Sequence, residues 1–126
     1  MAKILLVEND PLLAFLRKST LEQRFPDVER VGDAAEALCL VEQPQFAENL
    51  GLVVSGLDMP GTGGPEFVAE LHQRLPHVPV LVLGSNRIVA RDYDGGWAHF
   101  LPGPIFAENL LAQAGQMLKQ RELALA

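Results

Sequence analysis

Glu8, Asn9 and Asp10 close an unbroken apolar run, Ile4–Val7. Magnesium takes oxygen ligands and usually one or two carboxylates, and Asn9 offers a neutral carbonyl where Glu8 offers a charge. Three further segments carry the same stamp of an apolar run ending in small or polar residues: SGLDMPGTGG at 55–64, VLVLGS at 80–85 and FLPGP at 100–104. Their glycines Gly56, Gly84 and Gly103 supply no nucleophile, hydroxyl or ammonium. Asp58 and Asp10 are the acids left near them, and Ser55 and Ser85 the hydroxyls. Met59-Pro60-Gly61 is a turn signal. Gly61–Gly64 lacks the Lys-Ser/Thr pair of a phosphate-binding loop, and no GxGxxG follows the first apolar run. His72, His77 and His99 form no metal-ligand spacing and read as surface or edge residues, and no Ser/His/Asp order emerges.

These residues need a scaffold, and short apolar runs alternating with helical patterns predict a parallel α/β sheet. Ile4–Val7, Leu52–Val54 and Val78–Leu83 read as strands covered on both faces. Val28–Gly32, with Glu29 and Arg30 inside it, and His99–Pro102, with its proline, read as edges. Asp10 with Pro11 predicts one helix start, Asp33 another for a helix over Ala34–Gln43, and Pro65 a third. The third helix places Phe67, Val68, Leu71 and Leu75 on one face. A last helix is expected over Ile105–Arg121, burying Phe106, Leu110, Ala114, Met117 and Leu118. In the first helix Leu12 and Phe15 widen the stripe of Leu13 and Leu16 beyond one core face. Sixteen residues separate Leu83 from Phe100, and Asp94-Gly95-Gly96 is a turn signal among them. A shortened helix of roughly two turns is expected there, carrying Tyr93 and Trp97.

Composition bounds the function. The 126 residues suit one domain with a single core, with no linker and no second domain expected. A net charge of -6 argues against nucleic-acid binding, which relies on Lys and Arg. No apolar run approaches a membrane span, and no signal-peptide pattern opens the chain, so a cytoplasmic location is expected. Cys39, the single cysteine, reads as a small buried hydrophobe in a helical stretch.

Taken together, KILLVEND at 3–10, the LDMPG run, VLVLGS and FLPGP resemble the receiver domain of bacterial two-component response regulators, over essentially the whole chain. The resemblance implies a flavodoxin-like fold, a five-stranded parallel sheet of order 2-1-3-4-5 with helices on both faces. It also implies a site, and this chain departs from it. The family's phosphoacceptor Asp falls on Gly56, its switch Ser/Thr on Gly84 and its Lys on Gly103. The second residue of its acid pair falls on Asn9, leaving Glu8. The intact site would hold a phosphoryl group against a divalent cation, a Lys and a hydroxyl. Here nucleophile, metal ligand and anchors are absent together, so the pocket reads as neutralised and as holding no metal or cofactor. Glu8, with no Lys opposite, is expected either to stay hydrated or to suffer desolvation.

The expected function is therefore not enzymatic. The chain reads as an atypical receiver that acts as a phosphorylation-independent interaction module in bacterial signal transduction. Its partner would be a histidine kinase, another receiver or an effector, with homodimer contact through the last helix a further option. Leu12, Phe15, Tyr93, Trp97 and Phe100 are the candidate contact residues, Phe100 standing at the family's aromatic switch position. Two alternatives stand beside this reading. One is a small-ligand site in the vacated pocket at the strand ends; the other is a receiver that accepts phosphate on Asp58 or Asp10.

Overall fold

Strand residues alternate between two apolar layers, and that alternation organises the chain. The computed structural model describes residues 2–56, 64–84 and 98–125. Among these, β1 (Lys3–Val7), β2 (Val28–Val31), β3 (Leu50–Gly56), β4 (Val80–Gly84) and β5 (Ala98–Pro102) form one parallel sheet. Its order is β2-β1-β3-β4-β5, as the flavodoxin-like expectation requires. Side chains on a strand point alternately to opposite faces. Leu5, Val7, Val53, Val80 and Val82 accordingly join one core, and Ile4, Leu6, Leu52, Val54, Leu81 and Leu83 join the other.

Helices cover both faces. The first core is closed by α2 (Ala34–Val41), α3 (Pro44–Asn49) and α4 (Gly64–Arg74). The second is closed by Leu21 of α1 (Pro11–Glu22) and by Leu110, Ala114 and Met117 of α5 (Ala107–Leu125). Two starts follow the sequence signals. Asp10 Oδ1 accepts from the Leu12 and Leu13 N–H groups at 2.9 and 3.2 Å, with Pro11 opening the helix. Asp33 Oδ1 accepts from Glu36 N–H at 2.8 Å, and Glu36 Oε2 reaches back to Gly32 N–H at 3.1 Å. In α4, Phe67, Val68 and Leu71 are buried together, as their spacing predicts.

Several expectations are corrected. The helix opened by Asp33 ends at Val41, and Pro44, which cannot continue a helix, opens the separate α3. Cys39 is exposed, because α2 buries Ala34, Ala37 and Val41 and turns Cys39 to the opposite side. The core face of α1 is Ala14 and Leu21, and Leu13 and Leu16 lie on the exposed side with Leu12 and Phe15. The last helix starts at Ala107 and runs past Arg121, leaving Phe106 before it and exposed. The short helix expected between Leu83 and Phe100, with Tyr93, Trp97 and Ser85, lies outside the described residues, as does Asp58.

One glycine is set by packing at the opposite end of the sheet from the strand termini that form the site. A Cβ on Gly51 would stand 2.5 Å from Ala2 Cβ and 2.8 Å from Leu118 Cδ2. Gly51 is therefore what lets α5 lie against β3. Gly51→Ala should cost about 1–3 kcal/mol, the usual penalty of overpacking a tight core. Urea unfolding should show a lowered midpoint with unchanged slope; an unchanged midpoint would mean that α5 has room to move.

Candidate functional site

The register of the sheet assembles the site. Val7 lies beside Ser55, Gly56 beside Leu83, and Gly84 beside Pro102. The residues that end these strands therefore line up across one edge: Glu8, Gly56, Gly84 and Gly103. In an open α/β sheet this carboxyl-terminal edge is where ligands are met. Gly103 N–H donates to the Gly84 carbonyl, joining the ends of β4 and β5. The following Gly103–Pro104 peptide is cis.

Glu8 is the centre of this edge. It is only 4% exposed, and its N–H continues the ladder by donating to Val31 C=O at 3.1 Å. A buried carboxylate is costly unless a cation and hydrogen bonds meet it. Both kinds of partner are present. Arg17 Nη1 donates to Glu8 Oε1, forming an ion pair whose two side chains are 15% and 5% exposed. The Asp10 N–H donates to Glu8 Oε2 at 3.0 Å. Glu8 is thus neither hydrated nor bare.

Gly56 completes the arrangement by being a glycine. A Cβ there would stand 2.5 Å from Glu8 Oε1 and 3.2 Å from the Glu8 carboxyl carbon. The volume that a side chain at position 56 would claim is filled by the Glu8 carboxylate. Beside it, Ser55 is buried and its hydroxyl lies 3.2 Å from the Gly56 carbonyl. Arg30, from edge strand β2, holds the backbone of this turn. Its Nε and Nη2 donate to Glu8 C=O at 3.1 and 2.7 Å, and Nη2 also reaches Asn9 C=O at 3.3 Å.

The other predicted residues divide clearly. Asn9 is exposed, with Nδ2 3.5 Å from the Gly32 carbonyl, at the outer limit of a hydrogen bond. Asp10 is committed to capping α1. Gly84 and Gly103, together with Glu8, Asn9, Arg17 and Ile105, line a cavity of about 490 Å³ at the strand ends. Phe100 is partly buried against the first core. Leu12 and Phe15 stand 66% and 67% exposed on α1, beside Leu16 at 50%. Next to them a groove of about 190 Å³ runs between the helices, lined by Leu13, Leu16, Thr20, Ile105, Phe106 and Leu110.

Sequence reasoning missed Arg17 and Arg30. Arg17 carried a readable signal: it falls three residues after Ala14 and four before Leu21, on the same helical stripe. A cation in phase with the core face needs an acid inside. Arg30 carried none beyond its place in an edge strand.

A divalent cation at the acid pair, which the resemblance implies, does not fit this donor set. Oε1 of Glu8 is engaged by a guanidinium, Oε2 by a backbone N–H, and Asn9 offers only a neutral amide. Among the described residues, no group of three His, Cys, Asp or Glu side chains is placed to hold a metal ion.

Known proteins agree with the architecture. Residues 4–114 match the family described as response regulator receiver domain. The C4-dicarboxylate transport transcriptional regulatory protein DctD of Pseudomonas aeruginosa is 29% identical over 126 residues, covering 98% of this chain and 26% of that protein. The response regulator protein FleR of the same organism is 33% identical over 113 residues, 87% of this chain and 23% of its own length. The transcriptional regulatory protein TctD of Salmonella typhimurium is 31% identical over 121 residues, 94% of this chain and 52% of that one. The chain thus spans about a quarter to a half of these relatives. Among solved structures, a response regulator receiver domain protein from Clostridium thermocellum superposes with TM-score 0.88 at 21% identity, covering 98% and 99% of the two chains. The chemotaxis response regulator CheY4 of Vibrio cholerae gives 0.80 at 24% identity, covering 93% and 98%.

Because the Glu8 carboxylate is pinned by Arg17, it has little freedom to retreat from a side chain at position 56. Gly56→Ala should lower stability by about 1–3 kcal/mol, and Gly56→Asp by more, since it adds a second carboxylate at contact distance. Equilibrium unfolding at neutral pH measures both. A Gly56→Ala variant as stable as the wild type would mean that Glu8 has a second place to go.

Proposed function

Since the chain belongs to the family of response regulator receiver domains, we propose that it serves two-component signalling as a phosphorylation-independent interaction module, a degenerate receiver. The observation that carries this reading is the Glu8 carboxylate lying where a side chain at position 56 would stand, held there by Arg17. Phosphoryl transfer to a receiver needs a nucleophilic carboxylate, a cation that offsets the moving charge and donors for the phosphoryl oxygens. Gly56 offers no nucleophile, Glu8 is already neutralised, and Gly84 and Gly103 offer only backbone. Asp10, another acid among the described residues at these strand ends, uses its Oδ1 to cap the N–H groups of α1.

A module that does not take up phosphate acts by what it presents. The exposed stripe of Leu12, Phe15 and Leu16 on α1 is the feature that supports a docking role. Large apolar side chains grouped on one face mark interaction sites more often than single exposed ones do. A histidine kinase, another receiver or an effector is the class of partner that suits a domain of this family.

Two measurements test the reading. The full chain, incubated with acetyl phosphate or phosphoramidate and magnesium, should show no added phosphoryl group by intact mass, whereas a conventional receiver run alongside should. A stoichiometric phosphoryl adduct would overturn the proposal. Leu12→Gln and Phe15→Gln should each change unfolding free energy by no more than about 0.5 kcal/mol, as surface substitutions do. A loss several times larger would place this stripe in the core and remove it as a docking face.

A further inference from the structure

A receiver whose pocket keeps a buried carboxylate still has a charge to balance, and here the balancing charge is part of the chain. Glu8 is 4% exposed and accepts from Arg17 Nη1 on Oε1 and from Asp10 N–H on Oε2 at 3.0 Å. On the β3 side, a Cβ at Gly56 would stand only 2.5 Å from Glu8 Oε1. Magnesium binds oxygen at about 2.1 Å and tolerates little departure from octahedral geometry. Sharing Oε1 with a guanidinium in hydrogen-bond contact would set two cations across a single oxygen, and their repulsion weakens any metal bound there.

We infer that Arg17 is the resident cation of this pocket: its guanidinium does for Glu8 what a divalent ion would do, and excludes one. The substitution has a mechanical consequence that a diffusible ion would not have. Arg17 belongs to α1, so neutralising Glu8 also ties the middle of that helix to the end of β1. Ala14, Arg17 and Leu21 form the inward stripe of α1. Leu12, Phe15 and Leu16 are thereby turned outward. Arg30 fixes the other side of the same turn through the Glu8 and Asn9 carbonyls. The pocket is thus a permanent internal clasp, and the face presented by α1 does not depend on metal. This rests on the reading that the pocket takes no phosphoryl group.

The test uses the full chain and manganese, whose unpaired electrons broaden nearby amide resonances. In the wild type, sub-millimolar manganese should leave the Glu8, Asn9 and Asp10 amides no broader than exposed acidic sites elsewhere. Arg17→Ala should melt lower than the wild type, and its Glu8–Asp10 amides should broaden selectively, because Glu8 is then open to a metal. Selective broadening in the wild type, or none in Arg17→Ala, overturns the inference. Where Arg17→Ala is too unstable to assign, Glu8→Gln/Arg17→Gln decides. Removing both charges should restore a melting temperature above that of either single variant, as expected for a buried pair. Losses that simply add would overturn it. A wild type that binds manganese at Glu8 yet stays unphosphorylated would sink this inference and leave the functional reading standing.

Discussion

Glu8 sits where a central strand runs out of the sheet, buried by the turns around it, and its carboxylate must be met by positive charge. Breaking a buried ion pair by removing one partner typically costs about 3–5 kcal/mol, a large part of the stability of a small domain. That requirement propagates outward. It demands an inward-facing cation on α1, which fixes how that helix is rotated about its axis. The rotation places Ala14 and Leu21 against the sheet and sends Leu12, Phe15 and Leu16 to the surface. It also demands room for the carboxylate, which the missing side chain of Gly56 supplies.

Apolar packing does the rest. Two cores, one on each face of the sheet, are fed by alternate residues of the same strands. A slip of one residue in any strand would exchange the two sets, so the register that lines up Glu8, Gly56, Gly84 and Gly103 is enforced by packing well away from them. The alignment of the site's described backbone is therefore set by the two cores. The residues that position it are Val7, Val54, Leu81 and Leu83, all of them buried.

The parts of this structure that were legible in the sequence are those governed by local or periodic rules. Unbroken apolar runs gave the inner strands, charged or proline-bearing runs the edges, and Asp10 and Asp33 the helix starts. What escaped depended on which way a helix turns. Leu12, Leu13, Phe15 and Leu16 crowd one region of α1 so densely that hydrophobicity alone assigns two of them to the core. The actual inward stripe is sparser and contains an arginine. Cys39 was misplaced for the same reason, since α2 buries small residues, Ala34 and Ala37, and leaves a more apolar-looking side chain outside. Pro44 was a visible break whose consequence, a separate α3, was overlooked. The Glu8–Arg17 pair was hidden because the two residues are linked by tertiary geometry rather than by a motif.

The buried acid of this pocket is paired, and that bears on how such a site changes. Glu8 and Arg17 cancel, Asn9 is neutral, and Asp10 is occupied at the head of α1. Against that background, a second acid at the end of β3 is unwelcome. A carboxylate at position 56 would meet that of Glu8 at contact distance. It becomes tolerable only beside a further cation, because buried charges are stable in balanced groups and costly alone. On the function proposed above, the Glu8–Arg17 pair and a phosphate-accepting site are separate solutions on one backbone, and the arginine on α1 belongs to the first.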